Sequence, residues 1–217
     1  MRKLRVLVLD FDGVVLESNA VKTDAFCDVF ARFPEHCEQM MAYHRAHVSV
    51  SRFAKFDHLL QRLGRSGDAA LRAELAAEFS RRTLERMATV SFVPGAEAFL
   101  REIAPCLPVY LASVTPAEDL DVILDQRGLR GWFRGVYGCP PWTKPDAVRD
   151  VLRREACSPQ DAVLLGDSAG DQRAAAETGV EFIARDSGLP FDAPAPSVCF
   201  SDLNAVAAHL RDRLPER

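Results

Sequence analysis

The chain has 217 residues, 48% hydrophobic and 27% charged, with a net charge of −4. Those values suit a globular protein with a real core, either one large domain or a core with a smaller insert. The acidic balance excludes a general binder of nucleic acid or anionic membrane, because phosphate backbones are held by an excess of Lys and Arg.

The opening MRKLRVLVLD starts like a leader peptide, but its apolar run stops at Asp10. That is too short for a secretory segment or a membrane span, so the expected location is cytoplasmic, with no membrane partner. The six cysteines (Cys27, Cys37, Cys106, Cys139, Cys157, Cys199) form no CxxC pair. They read as reduced, mostly packed thiols rather than a zinc site or a disulfide framework.

Apolar, β-rich runs fall at 5–11, 108–114, 135–138, 162–167, 180–184 and 198–200, with helical patterns between most of them. This alternation predicts an α/β fold with a Rossmann-like, three-layer parallel sheet. Thr115-Pro116-Ala117-Glu118 reads as a helix N-cap followed by Pro, and Ser158-Pro159-Gln160-Asp161 repeats that chemistry ahead of a strand. A helix over 171–178 should stop at Gly179, and the Pro-rich stretch 188–197 reads as an irregular loop.

One section breaks the alternation. From 18 to 88 only helical pattern is present, over 20–33, 34–47, 51–63 and 68–87. The expected organisation is a catalytic core of 1–16 and 89–217 with a four-helix cap of 17–88, hinged near 16–18 and 89–94. Phe26, Phe30, Phe33, Phe53, Phe56 and Phe79 would form the cap's own core. His44 and His47 share a helical face, but without a carboxylate or thiol at ligand spacing they read as surface or pocket-lining residues.

The strand tips carry the chemistry. The first ends in Asp10 and Asp12, the second in Ser113, and the fourth in Asp167 with Asp171 one helical turn on; Lys144 precedes a helix that contains Pro145. Right-handed crossovers bring all strand C-termini to one edge, so these residues converge. Four carboxylates together repel unless a cation holds them, and hard oxygen donors suit Mg²⁺. A lysine and a hydroxyl beside such a metal make a site for a phosphoryl group. One carboxylate can attack it, and the second acid of a D-x-D pair, on the same side of the strand, can serve the leaving alcohol.

DFDGVV, the Ser113 strand tip, TKP and GDSAGD occur in that order along the chain. Together they resemble the four motifs of the haloacid dehalogenase (HAD) superfamily. A helical insert directly after the first motif is similar to the helical-cap subgroup of phosphoglycolate phosphatase-like and β-phosphoglucomutase-like enzymes. The resemblance implies that Asp10 is the nucleophile and a Mg²⁺ ligand. It makes Asp12 the general acid/base, with a main-chain carbonyl on the metal. Ser113 and the amide of Val114 would hold phosphoryl oxygens, and Lys144 would neutralise phosphate and Asp10. Asp167 would bind metal directly, and Asp171 would hold a metal-bound water or orient Lys144.

Motif three departs from the frequent K-P-x-P-D pattern, since Asp146 follows Pro145 directly. Trp142 beside it reads as a packed loop aromatic. In the cap, SVSRFAKF resembles the V-S-R segment of β-phosphoglucomutase-like caps, which makes Ser51, Arg52 and Lys55 candidate substrate contacts. Lys22 stands where a mutase tends to carry His; this favours a phosphatase and adds a fixed cation for an anionic substrate.

The expected activity is therefore Mg²⁺-dependent hydrolysis of a small phosphorylated metabolite of the sugar or sugar-acid phosphate class, with no nucleic acid involved. A phosphomutase keeps the same motifs, and a non-catalytic module that binds a phosphorylated metabolite is the alternative from another class. Protein partners are not legible.

Overall fold

The computed structural model describes residues 3–215. Met1, Arg2, Glu216 and Arg217, which belong to the expected core boundaries, lie outside the described residues. Along the chain run β1 (Val6–Leu9), α1 (Asn19–Phe30), α2 (Pro34–Ala46), α3 (Arg52–Arg62), α4 (Ala69–Met87), α5 (Ala96–Ile103) and β2 (Val109–Ser113). There follow α6 (Ala117–Gln126), β3 (Gly135–Gly138), α7 (Lys144–Arg154), β4 (Ala162–Gly166), α8 (Ala169–Thr178), β5 (Glu181–Arg185), β6 (Cys199–Phe200) and α9 (Leu203–Leu210). The chain divides into two compact units, Met1–Glu17 with Ser91–Arg217, and Ser18–Val90.

The first unit is a parallel six-stranded sheet in the order β3-β2-β1-β4-β5-β6. β1 is central and Val6, Leu7, Val8 and Leu9 are all buried, as expected of a strand covered on both faces. Each such side chain contributes ~1.5–3 kcal/mol on removal from water. Alternation sorts them. Val6 and Val8 cluster with Tyr110, Ala112 and Leu164 and with Ala147, Val148, Val151, Ala174 and Ala175 of α7 and α8. Leu7 and Leu9 point to the other face, and α5 and α9 pack on each other elsewhere in the unit.

The second unit is the four helices α1 to α4, which pack α1 on α2 and α4, and α3 on α2 and α4. Its core holds Phe26, Phe30, Phe56 and Phe79 with Val29, Met40, Leu59 and Leu75. The Phe26 and Phe79 ring centroids are 4.3 Å apart, tilted, a favourable aromatic geometry. Asp68 caps α4, accepting from Leu71 N at 2.9 Å.

Several local expectations change. The Thr115 hydroxyl does not cap α6; the N-cap position is Pro116, whose side chain has no oxygen to accept a hydrogen bond, and the Thr115 hydroxyl goes to Asp12. Phe53 lies outside the aromatic core, beneath the Arg72 guanidinium at 4.9 Å. The thiols are all free, as expected, but Cys27 and Cys199 are exposed rather than packed. His44 is buried, not a surface residue, whereas His47 is exposed and stacks on Tyr43. Trp142 packs edge-on against Tyr137 at 5.0 Å. Residues 188–197 are irregular, and Ser158 caps a single 3-10 turn, Pro159–Asp161.

Candidate active site

Asp10 follows β1 directly, and its amide donates to Leu165 O at 2.9 Å, continuing the ladder to β4 past the last strand residue. Its Oδ1 accepts from the Phe11 amide at 2.7 Å. The same register puts Asp167 one residue beyond β4, and α8 starts two residues further on, behind its N-cap Ser168.

Asp171 lies in the first turn of that helix and is 0% exposed. It is held by a reciprocal cap: its Oδ2 accepts from the Ser168 amide at 3.1 Å and from the Ser168 hydroxyl at 2.5 Å. Gly166 makes this approach possible. A Cβ there would stand 2.3 Å from the Asp171 Cβ, well inside contact distance.

Asp10, Asp167 and Asp171 thus converge, with one carboxylate oxygen from each within 4.8 Å of the others. All three are buried. Lys144, the first residue of α7, reaches the group; its Nζ donates to Asp10 Oδ2 at 2.8 Å and to Asp171 Oδ1. Thr143 caps that helix, and Pro145 occupies its first turn, where no amide is needed.

Burial pushes the Asp10 carboxyl well above the usual carboxylate range; Lys144 opposes the shift, while Asp171, Asp167 and Asp12 add to it. For Lys144, burial works against the ammonium, but Asp10 and Asp171 outweigh it and hold its pKa well above the ordinary lysine value. A lysine in this position stays charged. Three acids facing one lysine leave an excess of negative charge in a dry site, a donor set suited to a hard divalent cation.

Asp12 is buried but turned elsewhere. Its Oδ2 accepts from the Thr115 hydroxyl at 3.1 Å and, weakly, from Ser113 Oγ at 3.5 Å. Ser113 Oγ also accepts from the Thr115 amide at 3.0 Å, and Val114 lies between the two at the tip of β2. Thr115 is the contact that sequence reasoning missed. The signal available was its place two residues beyond Ser113, but the same Thr-Pro pair also reads as a helix cap.

The remaining candidates lie in the helical unit. Lys22 is partly buried on α1, and Ser51 caps α3, accepting from Ala54 N at 3.3 Å. Arg52 donates to Ser80 Oγ at 2.6 Å and lies over the Phe79 ring. Lys55 is 1% exposed and donates to His44 Nδ1 at 3.0 Å and to Val48 O at 3.3 Å. His44 Nε2 faces Thr23 Oγ1 at 3.1 Å, and that hydroxyl donates to Asn19 O. Burial and the Lys22 charge lower the Lys55 pKa to about 7. Burial, Lys55, Arg45 and Lys22 lower His44 to about 3.

The haloacid dehalogenase-like hydrolase family matches residues 4–179 of the chain. The protein belongs to that family. It is a hydrolase, and its HAD-like sheet is the one described above. A phosphoglycolate phosphatase of Pseudomonas putida is 28% identical over 93% of this chain and 78% of its own length. A HAD-like family protein from Streptococcus pneumoniae superimposes with a TM-score of 0.74 at 19% identity, covering 95% of this chain and 98% of that one. CbbY from Rhodobacter sphaeroides, solved in complex with phosphate, does so at 0.75 and 18% identity, covering 96% and 99%. Among the described residues no helix is long and apolar enough to cross a membrane.

Proposed function

We propose that the protein is a Mg²⁺-dependent phosphatase that hydrolyses a small phosphorylated metabolite, of the sugar or sugar-acid phosphate class, through an aspartyl-phosphate on Asp10. The observation that carries this reading is the division of the acids into two sets. Asp10, Asp167 and Asp171 gather around Lys144, whereas Asp12 is held apart by Thr115. The Pseudomonas putida relative, named for a phosphorylated two-carbon acid, supports the substrate class.

Asp10, Asp167 and the main-chain carbonyl of Asp12 would hold the metal, with Asp171 beside it; bound there, it supplies positive charge that offsets the acids and the phosphoryl oxygens. Ser113, the Val114 amide and Lys144 orient the phosphoryl group and balance its charge. An Asp10 oxygen attacks phosphorus, the bond to the leaving oxygen breaks, and Asp12 gives that oxygen its proton. Asp12, now a carboxylate, takes a proton from water as the water oxygen attacks phosphorus. Asp10 leaves with its electron pair and inorganic phosphate departs. Lys144 and Asp171 keep Asp10 in place throughout. In the helical unit, Lys22, Ser51, Arg52 and Lys55 are the residues we assign to selecting an anionic substrate.

Phosphate release from a panel of phosphorylated metabolites, with Mg²⁺ or with chelator, tests the reading. Release that needs the metal and disappears in Asp10→Asn is expected. Release that survives in Asp10→Asn, or an isomerised ester in place of free phosphate, contradicts it.

A further inference from the structure

Arg185, the last residue of β5, is buried. The register pairs Ala184 with Gly166, which sets Arg185 alongside Asp167 at the edge of the sheet that carries the site. From there it reaches over β4 to the turn that follows β1. Its Nη1 donates to Gly13 O at 3.3 Å and to Glu17 Oε2 at 3.2 Å, its Nη2 donates to Glu17 Oε1, and its Nε donates to Ser201 O at 3.4 Å. A buried guanidinium is costly to desolvate unless its donors are met, and here all three of its nitrogens have acceptors.

The Gly13 and Glu17 acceptors sit on the segment that carries Asp12, whereas Ser201 lies just beyond β6. Gly13 follows Asp12 in the chain, with φ +70°, and its amide donates to Leu16 O at 2.8 Å. Asp12 itself bridges to Leu16, and the Glu17 amide donates to Ser91 O at 2.9 Å. The turn is closed from within by main-chain hydrogen bonds, Gly13 N to Leu16 O and the Val15 and Leu16 amides to Phe11 O, and is held from outside by main-chain bonds to Ser91 and Val93 and by the bidentate Arg185–Glu17 pair. Thr115 fixes one Asp12 oxygen from β2, whereas the main chain of Asp12 depends on the turn.

We propose that Arg185, through Gly13 and Glu17, is a positioning residue for the acid function of Asp12. The inference rests on the phosphatase reading. It predicts a chemical signature rather than a uniform loss, because Asp12 matters most when the leaving oxygen needs a proton. An alkyl alcohol must be protonated as it leaves; p-nitrophenolate departs as a stable anion.

The test compares kcat/KM, which reports through phosphoryl transfer to Asp10, for the best alkyl ester of the panel and for p-nitrophenyl phosphate. The proteins are the wild type, Arg185→Gln, Arg185→Lys, Glu17→Gln and, as reference, Asp12→Asn, each checked for native circular dichroism. In Arg185→Gln the alkyl ester should lose at least about tenfold more than the aryl ester, in the same sense as Asp12→Asn and within the 10²–10⁴ range of general acid catalysis. Glu17→Gln, a change at a partly exposed side chain, should repeat the pattern more weakly, so the test stands even if Arg185→Gln does not fold. Adding Glu17→Gln to Arg185→Lys should cost little more than either alone. Equal losses on both esters, or none, overturn the inference while leaving the phosphatase reading intact. A wild type inert toward both esters overturns that reading and this inference with it.

Discussion

At the scale of single residues, each acid is distinguished by what it touches. Asp10 meets a lysine, two carboxylates and its neighbour's amide, while Asp12 meets two hydroxyls from the tip of β2. The Thr115 hydroxyl is therefore expected to matter although it lies outside the carboxylate cluster. Thr115→Val keeps the shape and removes the donor to Asp12; a hydrogen bond to a charged group is worth ~1.5–3 kcal/mol, so kcat/KM for an alkyl ester should fall about ten- to hundredfold. Steady-state kinetics with unchanged thermal stability would bear this out, and full activity would show that Asp12 is held by other means. The convergence of Asp10, Asp167, Asp171 and Lys144 is legible in the sequence because each stands at the end of a strand or the start of a helix, and parallel topology sends those points to one edge. Thr115 and Arg185 are not legible. Thr-Pro carries two meanings, and the Arg185–Glu17 pair spans 168 positions and depends on the register of three strands.

At the scale of elements, helix ends place the chemistry. α7 begins with Lys144 behind a Thr143 cap, and α8 begins with the Ser168–Asp171 box two residues after Gly166. Gly166 lacks a side chain because Asp171 occupies the space where one would stand. Gly166→Ala should push the helix start away, destabilising the protein by ~1–3 kcal/mol as overpacking does. It should also weaken Mg²⁺ binding measured calorimetrically on the folded variant. Unaltered metal affinity would separate Asp171 from the metal. The four helices of the inserted unit are legible within a few residues, because apolar positions such as Leu71, Leu75 and Phe79 recur on one face and are buried. The helical face of His44 was legible too, but its burial was not: one polar side chain among phenylalanines gives no sequence sign of the Lys55 and Thr23 partners that satisfy it.

At the scale of the whole molecule, the helical unit carries a Lys55–His44–Thr23 chain, its lysine and histidine buried, that ties stability to pH. The folded Lys55 titrates at about 7 against an ordinary value of 10.5, so between those pH values the unfolded chain holds a proton that the folded protein does not. Stability should rise with pH across that window, by at most ~1.4 kcal/mol per unit. His44, at about 3 against 6.5, adds a second window in which stability is lost as pH falls below 6.5. In Lys55→Met the urea midpoint should lose its rise between pH 7 and 10 and keep its fall below 6.5. An unchanged rise would assign it to other groups.

The account stands on Asp10 taking the phosphoryl group. The most direct measurement is an acid quench of the Mg²⁺-loaded enzyme in turnover with its best phosphorylated substrate, followed by borohydride reduction of any acyl phosphate and mass-spectrometric mapping of the reduced side chain. The account predicts reduction at Asp10, absent in Asp10→Asn. Rapid turnover with Asp10 unmodified, and the label on another residue or on none, would contradict it.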